Sequence, residues 1–321
     1  MKPNGNSSAS DEGLSPIRWV KFLGDWAEGD NQIDYKGGSE RFVAQGGPPF
    51  PVGIIISNRE LRSGTCKVDL EFSEASSDTF AGGVVLGYRS QERYYLQVQL
   101  GANNAAYCVS EFVSGFGWRP LKWAGPRSVL QANRAYSLNV SLRGQELRVG
   151  VDDVPVLDLL IPRPLEGKQT GLTAAGNHEI RFSGFDVAAD RPRAFVAMEY
   201  REPFDTFYRE VIKPQAGRTY DVVRMDEKAG AGVIFQDMER EIAQSEIVIA
   251  EITPANPNVF YELGYAQALG KPTILLAQRG GTLPFDIRSF RVVYYDDTIG
   301  GKTRVEQDLA RHLEAIAQSA S

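Results

Sequence analysis

The chain has 321 residues, of which 42% are hydrophobic and 24% charged; at about twice the usual single-domain length, it sets an expectation of two domains, each with its own core. The net charge of −6 splits evenly about residue 190 (19 basic against 22 acidic before it, 16 against 19 after it), which excludes an electrostatically driven binder of nucleic acid or anionic membrane. Two cysteines and two histidines leave no disulfide scaffold and no His/Cys metal site. Residues 1–16 are polar and read as a disordered lead-in, not a secretory signal, and no apolar run approaches the roughly 20 residues of a membrane span. A cytoplasmic location is therefore expected.

From residue 17 to about 190 the chain reads as short strands bounded by Gly, Asn, Asp or Pro: 53–58, 66–73, 82–89, 94–101, 106–112, 135–144, 146–153, 154–161 and 180–187. Several alternate with a period of two, as in CKVDLEFS, where Val68, Leu70 and Phe72 share a face. Regular strand spacing with almost no helical pattern predicts an all-β sandwich or jelly roll. Asp152-Asp153 between two apolar runs predicts a tight hairpin turn. Cys66 and Cys108 read as buried free thiols, His178 as a loop residue, and Trp118 and Trp123 as core aromatics or, alternatively, as platforms for a sugar.

From residue 191 to the end, strands at 194–199, 220–225, 246–252, 272–278 and 291–296 alternate with helices at 204–213, 233–244, 257–269 and 303–318. Five apolar strand runs separated by helices predict a doubly wound, flavodoxin-like parallel sheet. In the last helix Val305, Leu309, Leu313 and Ile316 form one apolar stripe.

The chemistry concentrates in residues 245–276. A buried strand ends at Glu251, and Asn256 is placed to cap a helix that opens with Pro257. Val259, Leu263, Ala266 and Leu269 face the sheet, with Asn258, Glu262 and Tyr265 on an adjacent face. Glu262 thus lies beside the carboxyl edge of the sheet, where open α/β folds bind ligands. A helical glutamate is by default solvated. The aromatic neighbours in FYELGYA and the nearby Glu251, Asn256 and Asn258 make a catalytic carboxylate the competing reading. The loop Met198-Glu199-Tyr200-Arg201 sits at the topological switch point and is a candidate nucleotide contact. Arg224 and Asp226 read as a surface ion pair or as ligand contacts, KAGAGVIF (228–235) as a lid, and Phe285 of LPFDIR (283–288) as core or pocket cap. AMEYREP is no GxGxxG fingerprint, which disfavours NAD as a hydride-transfer cofactor.

Residues 193–296 resemble the bacterial TIR-like branch of the superfamily that also contains nucleoside 2-deoxyribosyltransferases. The resemblance rests on FVAMEY (195–200), FYREVIKP (207–214), VVRMDE (222–227), IAQSEIVIAEIT (242–253), NPNVFYELGYAQALGKP (256–272) and LPFDIR. It implies that Glu262 is the catalytic residue and that the reaction cleaves an N-glycosidic bond. In the TIR branch the substrate is NAD, consumed rather than kept as a cofactor. Nicotinamide leaves neutral and needs no general acid, so a single carboxylate suffices to meet an oxocarbenium-like centre. A purine or pyrimidine benefits from protonation, for which Glu251 or Asp226 would serve. Three readings stay open: a NAD glycohydrolase, a deoxyribosyltransferase-like enzyme, and a non-catalytic signalling or binding module.

The first half resembles concanavalin A-like lectin/glucanase sandwiches, on GDW (24–26), residues 82–101, Gly117-Trp118, residues 135–153 and residues 171–187. That resemblance implies a sensor or assembly module with a glycan or small-molecule activator. Together the two resemblances imply a latent enzyme of antiviral defence, active as a homo-oligomer once its trigger is bound.

Overall fold

The computed structural model describes residues 15–38, 41–42, 50–75, 80–90, 94–227, 234–281 and 292–319. Nearly all of the 1–16 lead-in, residues 228–233 of the expected lid, and LPFDIR lie outside the described residues.

The first half is a β-sandwich. Its strands are β1 (Trp19–Leu23), β2 (Trp26–Gly29), β3 (Gln32–Tyr35), β4 (Arg41–Phe42), β5 (Phe50–Glu60), β6 (Gly64–Phe72), β7 (Phe80–Tyr88), β8 (Tyr95–Leu100), β9 (Ala105–Val113), β10 (Gly117–Pro126), β11 (Ala135–Arg143), β12 (Glu146–Val151), β13 (Val154–Leu160), β14 (Gln169–Gly176) and β15 (Ile180–Ala189). One sheet runs β1-β5-β14-β7-β8-β9-β10, with β4 on β5, and the other β13-β12-β11-β6-β15-β3-β2. Pairing in the sandwich is antiparallel throughout. The period of two in β6 is the inward face: Val68, Leu70 and Phe72 pack with Leu138, Val140 and Leu142 of β11 and with Leu96, Val98 and Leu100 of β8. Asp152 and Asp153 both take positive φ (50° and 62°) between the paired Val151 and Val154, the turn geometry that matches strand twist.

Six strands were not among those expected from the sequence: β1–β4, β10 and β14. β10 carries Pro120 and Pro126, which a strand tolerates only where its N–H groups need no partner, and it is the edge of its sheet. β14 is Gln-Thr-Gly-Leu-Thr-Ala-Ala-Gly, poor in strand formers because it is squeezed between β5 and β7. A Cβ on Gly171 would lie 2.2 Å from the Ile55 carbonyl oxygen. The core reading of Trp123 is corrected as well: on this edge strand the residue is 56% exposed, since Lys122 and Trp123 both fall outside the packed interior. Cys66 and Cys108 are buried and free.

The second half is a five-stranded parallel sheet, β17-β16-β18-β19-β20, built from β16 (Arg193–Ala197), β17 (Asp221–Val223), β18 (Ile247–Glu251), β19 (Thr273–Gln278) and β20 (Val292–Tyr295). Helices α1 (Phe204–Phe207), α2 (Lys213–Ala216) and α5 (Ile299–Ser319) cover one face, while α3 (Ile234–Gln244) and α4 (Pro257–Ala268) cover the other. The single helix expected over 204–213 is instead α1 and α2 joined by a π turn, Tyr208–Ile212. Pro214 supplies no N–H to the preceding turn, and a widened turn accommodates that loss.

Only three residues separate β15 from β16, and the sandwich docks on the amino edge of the parallel sheet. The tip of the β11–β12 hairpin reaches the end of α3, where Gln145 N–H donates to the Ala243 carbonyl at 2.9 Å. Gly144, at φ 55°, is needed there: a Cβ would sit 2.4 Å from that same oxygen. Arg62 spans the junction, donating to Glu246 Oε1 at 2.9 Å and to the Ala317 carbonyl at 2.8 Å. Among the described residues no hydrogen bond joins the sandwich to the carboxyl edge, on the opposite side of the sheet.

Candidate active site

Strand β18 is buried along its whole length because both faces of a parallel sheet carry helices. It delivers Glu251 to the carboxyl edge. The chain then turns, and Asn256 caps α4, its Oδ1 accepting from Asn258 N–H at 2.9 Å. That cap, with Pro257 in the first turn, sets the helix phase: Val259, Leu263 and Ala266 go into the core and Glu262 comes to its margin, 9% exposed.

Glu262 has no hydrogen bond or ion pair among the described residues, and burial alone pushes its carboxyl up to about 7. A buried carboxylate without partners is rare, since its desolvation is uncompensated. Tyr200, in the loop after β16, sits in its field. The Tyr200 hydroxyl is shielded against the Met225 backbone, and burial, then the charges of Glu262 and Asp226, push it above its ordinary range. The residue as a whole is 42% exposed.

Behind Tyr200, Arg224 is a fixed post. It is 7% exposed, forks onto Asp226 at 2.6 and 2.5 Å and donates to Asp205 at 2.8 Å. Its guanidinium lies between the Tyr208 and Tyr200 rings at 4.2 and 5.3 Å. Of the two readings left open by the sequence, a surface ion pair or ligand contacts, Arg224 and Asp226 do pair, but around a buried guanidinium with the carboxylates half-buried. Met198 is buried, its Sδ 3.9 Å from Arg224. A second group forms beside the α4 cap: Arg201 pairs with Glu199 at 2.9 Å, and Asn256 Nδ2 donates to Glu199 at 3.2 Å. The Asn258 side chain is exposed.

Glu251 is 1% exposed, and both oxygens are taken: Thr253 N–H donates to one at 3.1 Å and the Tyr295 hydroxyl to the other at 3.0 Å. Burial nonetheless raises its carboxyl to about 8, with the Glu199 charge adding to the rise. Tyr295 comes from the last strand and is stacked on Phe207, ring centroids 4.4 Å apart. Glu199 belongs to the loop that the sequence offers as a nucleotide contact, but its tie to Asn256 is not readable there, and Tyr295 is not singled out at all. Glu199 lies inside the quoted FVAMEY run, whereas nothing local marks Tyr295, which reaches Glu251 only through strand order. Among the described residues no cluster of three His, Cys, Asp or Glu is placed to hold a metal.

This geometry is a carboxylate without a partner among the described residues, at the switch point of an open parallel sheet, with a tyrosine in its field. Residues 188–308 match the nucleoside 2-deoxyribosyltransferase family model, and the match implies N-glycosidic bond chemistry for this domain. Solved structures align with the sandwich half. A carbohydrate-binding module of family 66 from Bacillus subtilis is 15% identical, covering 52% of this chain and 92% of its own, with a TM-score of 0.41. The laminarinase catalytic domain of Thermotoga maritima is 10% identical, covering 56% and 95%, with a TM-score of 0.40. No curated protein matches the chain.

Proposed function

We propose that the second domain cleaves the N-glycosidic bond of a nucleoside, with Glu262 as the nucleophile that captures the departing sugar at its anomeric carbon. The observation that carries this is the Glu262 carboxylate itself: buried, unpaired among the described residues, and aligned with a family whose chemistry is deoxyribosyl transfer. A carboxylate stripped of hydrogen bonds is a better nucleophile than a solvated one, and a pKa near 7 leaves about half of it ionised at neutral pH. Water or a second base then releases the sugar, giving hydrolysis or base exchange.

A second reading, cleavage of NAD, is favoured by a specific observation. Both acids that the sequence offered for protonating a leaving base are engaged: Asp226 in the fork of Arg224 and Glu251 under Thr253 and Tyr295. A nicotinamide that departs neutral needs neither. On this reading the sandwich keeps the enzyme latent until a ligand or self-association releases it, and the setting is defence against phage.

Purified protein incubated with deoxynucleosides plus a free base, and separately with NAD, distinguishes the two. Base exchange or deoxynucleoside hydrolysis that is lost in Glu262→Gln establishes the first reading, and nicotinamide release lost in the same variant establishes the second. Turnover of neither, in wild-type protein at high concentration, overturns both and leaves a binding module.

A further inference from the structure

The outer face of the sandwich holds a cavity of about 420 Å³ that the chemistry at Glu262 does not use. Strand β8 explains it. Leu96, Val98 and Leu100 enter the core between the sheets, so the alternate residues Gln97 and Gln99 project from the opposite face. There Gln97 stands next to Ser110 of β9 in register, and both line the cavity. Gln97 is 3% exposed, yet its Nε2 has no hydrogen-bond acceptor among the described residues. A buried amide donor left unpaired costs about 1–3 kcal/mol, so it points to an oxygen that something else supplies.

The rest of the lining narrows what that is. Phe50 and Trp118 give apolar walls suited to one face of a ring, and Phe80, 2% exposed, closes the floor beneath Arg127. Among the described residues no aspartate or glutamate lines the cavity, whereas Arg127 does. Its guanidinium lies 5.4 Å over the Phe80 ring, with no carboxylate partner among the described residues. An orphaned buried donor and an unneutralised cation select a ligand rich in acceptors and negatively charged. The volume fits a small molecule rather than a polymer. We propose that this cavity binds a compact, hydroxylated organic anion, its ring against the aromatic walls, its charge at Arg127 and one oxygen accepting from Gln97. The site is independent of what Glu262 does.

Titration calorimetry on the full chain tests this with glucuronate and ribose 5-phosphate as two sources of the anion, glucose as the neutral counterpart and glucosamine as the cationic one. At least one anion is expected to bind roughly tenfold tighter than glucose, with glucosamine weakest; which anion leads tells a sugar acid from a sugar phosphate. Gln97→Leu is expected to weaken the anion by roughly tenfold, and Arg127→Gln, at a half-exposed position, to erase the preference for anion over glucose. No binding by either anion, equal or tighter binding of glucose or glucosamine, or unchanged affinity in both variants with melting temperatures intact overturns the proposal.

Discussion

Buried ionisable groups at both edges of the parallel sheet have partners, Glu251 and Arg224 at the carboxyl edge included, and Glu262 is the exception among the described residues. At the amino edge, beneath the sandwich, each has partners. Lys271, 6% exposed, donates to the carbonyls of Ala243 and Ser245 at 2.7 and 2.6 Å, and Arg62 bridges Glu246 and Ala317. Arg193 holds Glu241 at 3.2 Å and Gln244 at 2.8 Å. Burial pushes Lys271 down to about 7, but the donor stays useful because two carbonyls at the end of α3 need it. At the carboxyl edge Glu262 is equally buried and receives nothing from the described residues. Burial alone, then, does not separate a structural ion from a functional one; the satisfaction of its hydrogen bonds does.

The largest effect expected from this contrast is on turnover. Glu262→Gln keeps the shape of the side chain and removes its charge and nucleophilicity. Whichever N-glycosidic substrate proves right, the rate should fall by at least about a thousandfold, equivalent to about 4 kcal/mol of barrier. Single-turnover measurement of base or nicotinamide release checks it. A variant retaining a tenth of the activity would place Glu262 with the structural ions.

The same substitution should act on stability with the opposite sign. The carboxyl of Glu262 rises from 4.5 unfolded to about 7 folded, so the folded state holds its proton more tightly between those values. Wild-type stability is therefore greatest, as far as this group is concerned, below pH 4.5, and declines as pH climbs toward 7. The shift corresponds to about 3 kcal/mol at pH 8. Glu262→Gln, which cannot ionise, should melt at a higher temperature than wild type at pH 8 and close to it at pH 4.5. Equal melting at both pH values would mean that Glu262 is compensated after all.

At the amino edge the prediction reverses. Arg62→Ala removes the partner of Glu246 Oε1, whose second oxygen has none among the described residues, and takes one hydrogen bond from the Ala317 carbonyl. The pair is partly exposed, 22% on each side, so the loss should be about 2 kcal/mol rather than the 3–5 of a fully buried pair. Denaturant unfolding reads it, and little change in the turnover of the folded protein is expected, because Arg62 lies at the edge of the sheet opposite Glu262.

Much of this was legible in the sequence, for physical reasons that also set the limit. Period-two runs such as CKVDLEFS announce themselves because one face meets water or a neighbouring strand while the other meets the core. β14 does not, since close approach to β5 and β7 selects the glycine and alanine that elsewhere signal a loop. In the site, Glu262, Asn256 and Glu251 lie within one strand–turn–helix unit, so their spacing fixes their placement. Tyr295 is 44 residues from Glu251, and its hydroxyl arrives through the register of β19 with β20, where Gln278 pairs with Tyr295. Local pattern carries no trace of that register.

The smallest effect tests how the local unit holds Glu262 in place. Asn256 Oδ1 accepts the Asn258 N–H that opens α4, while its Nδ2 reaches Glu199, so one side chain both caps the helix and ties it to the loop after β16. Asn256→Ala should cost about 1 kcal/mol from the lost cap, whereas Asn256→Asp should restore the cap but set a carboxylate against Glu199. If the cap alone matters, Asp rescues both stability and turnover. If the tie to Glu199 positions the loop that carries Tyr200, Asp rescues thermal stability yet leaves the rate depressed, and only that split would show that the carboxyl edge is organised around Glu262 rather than merely folded near it.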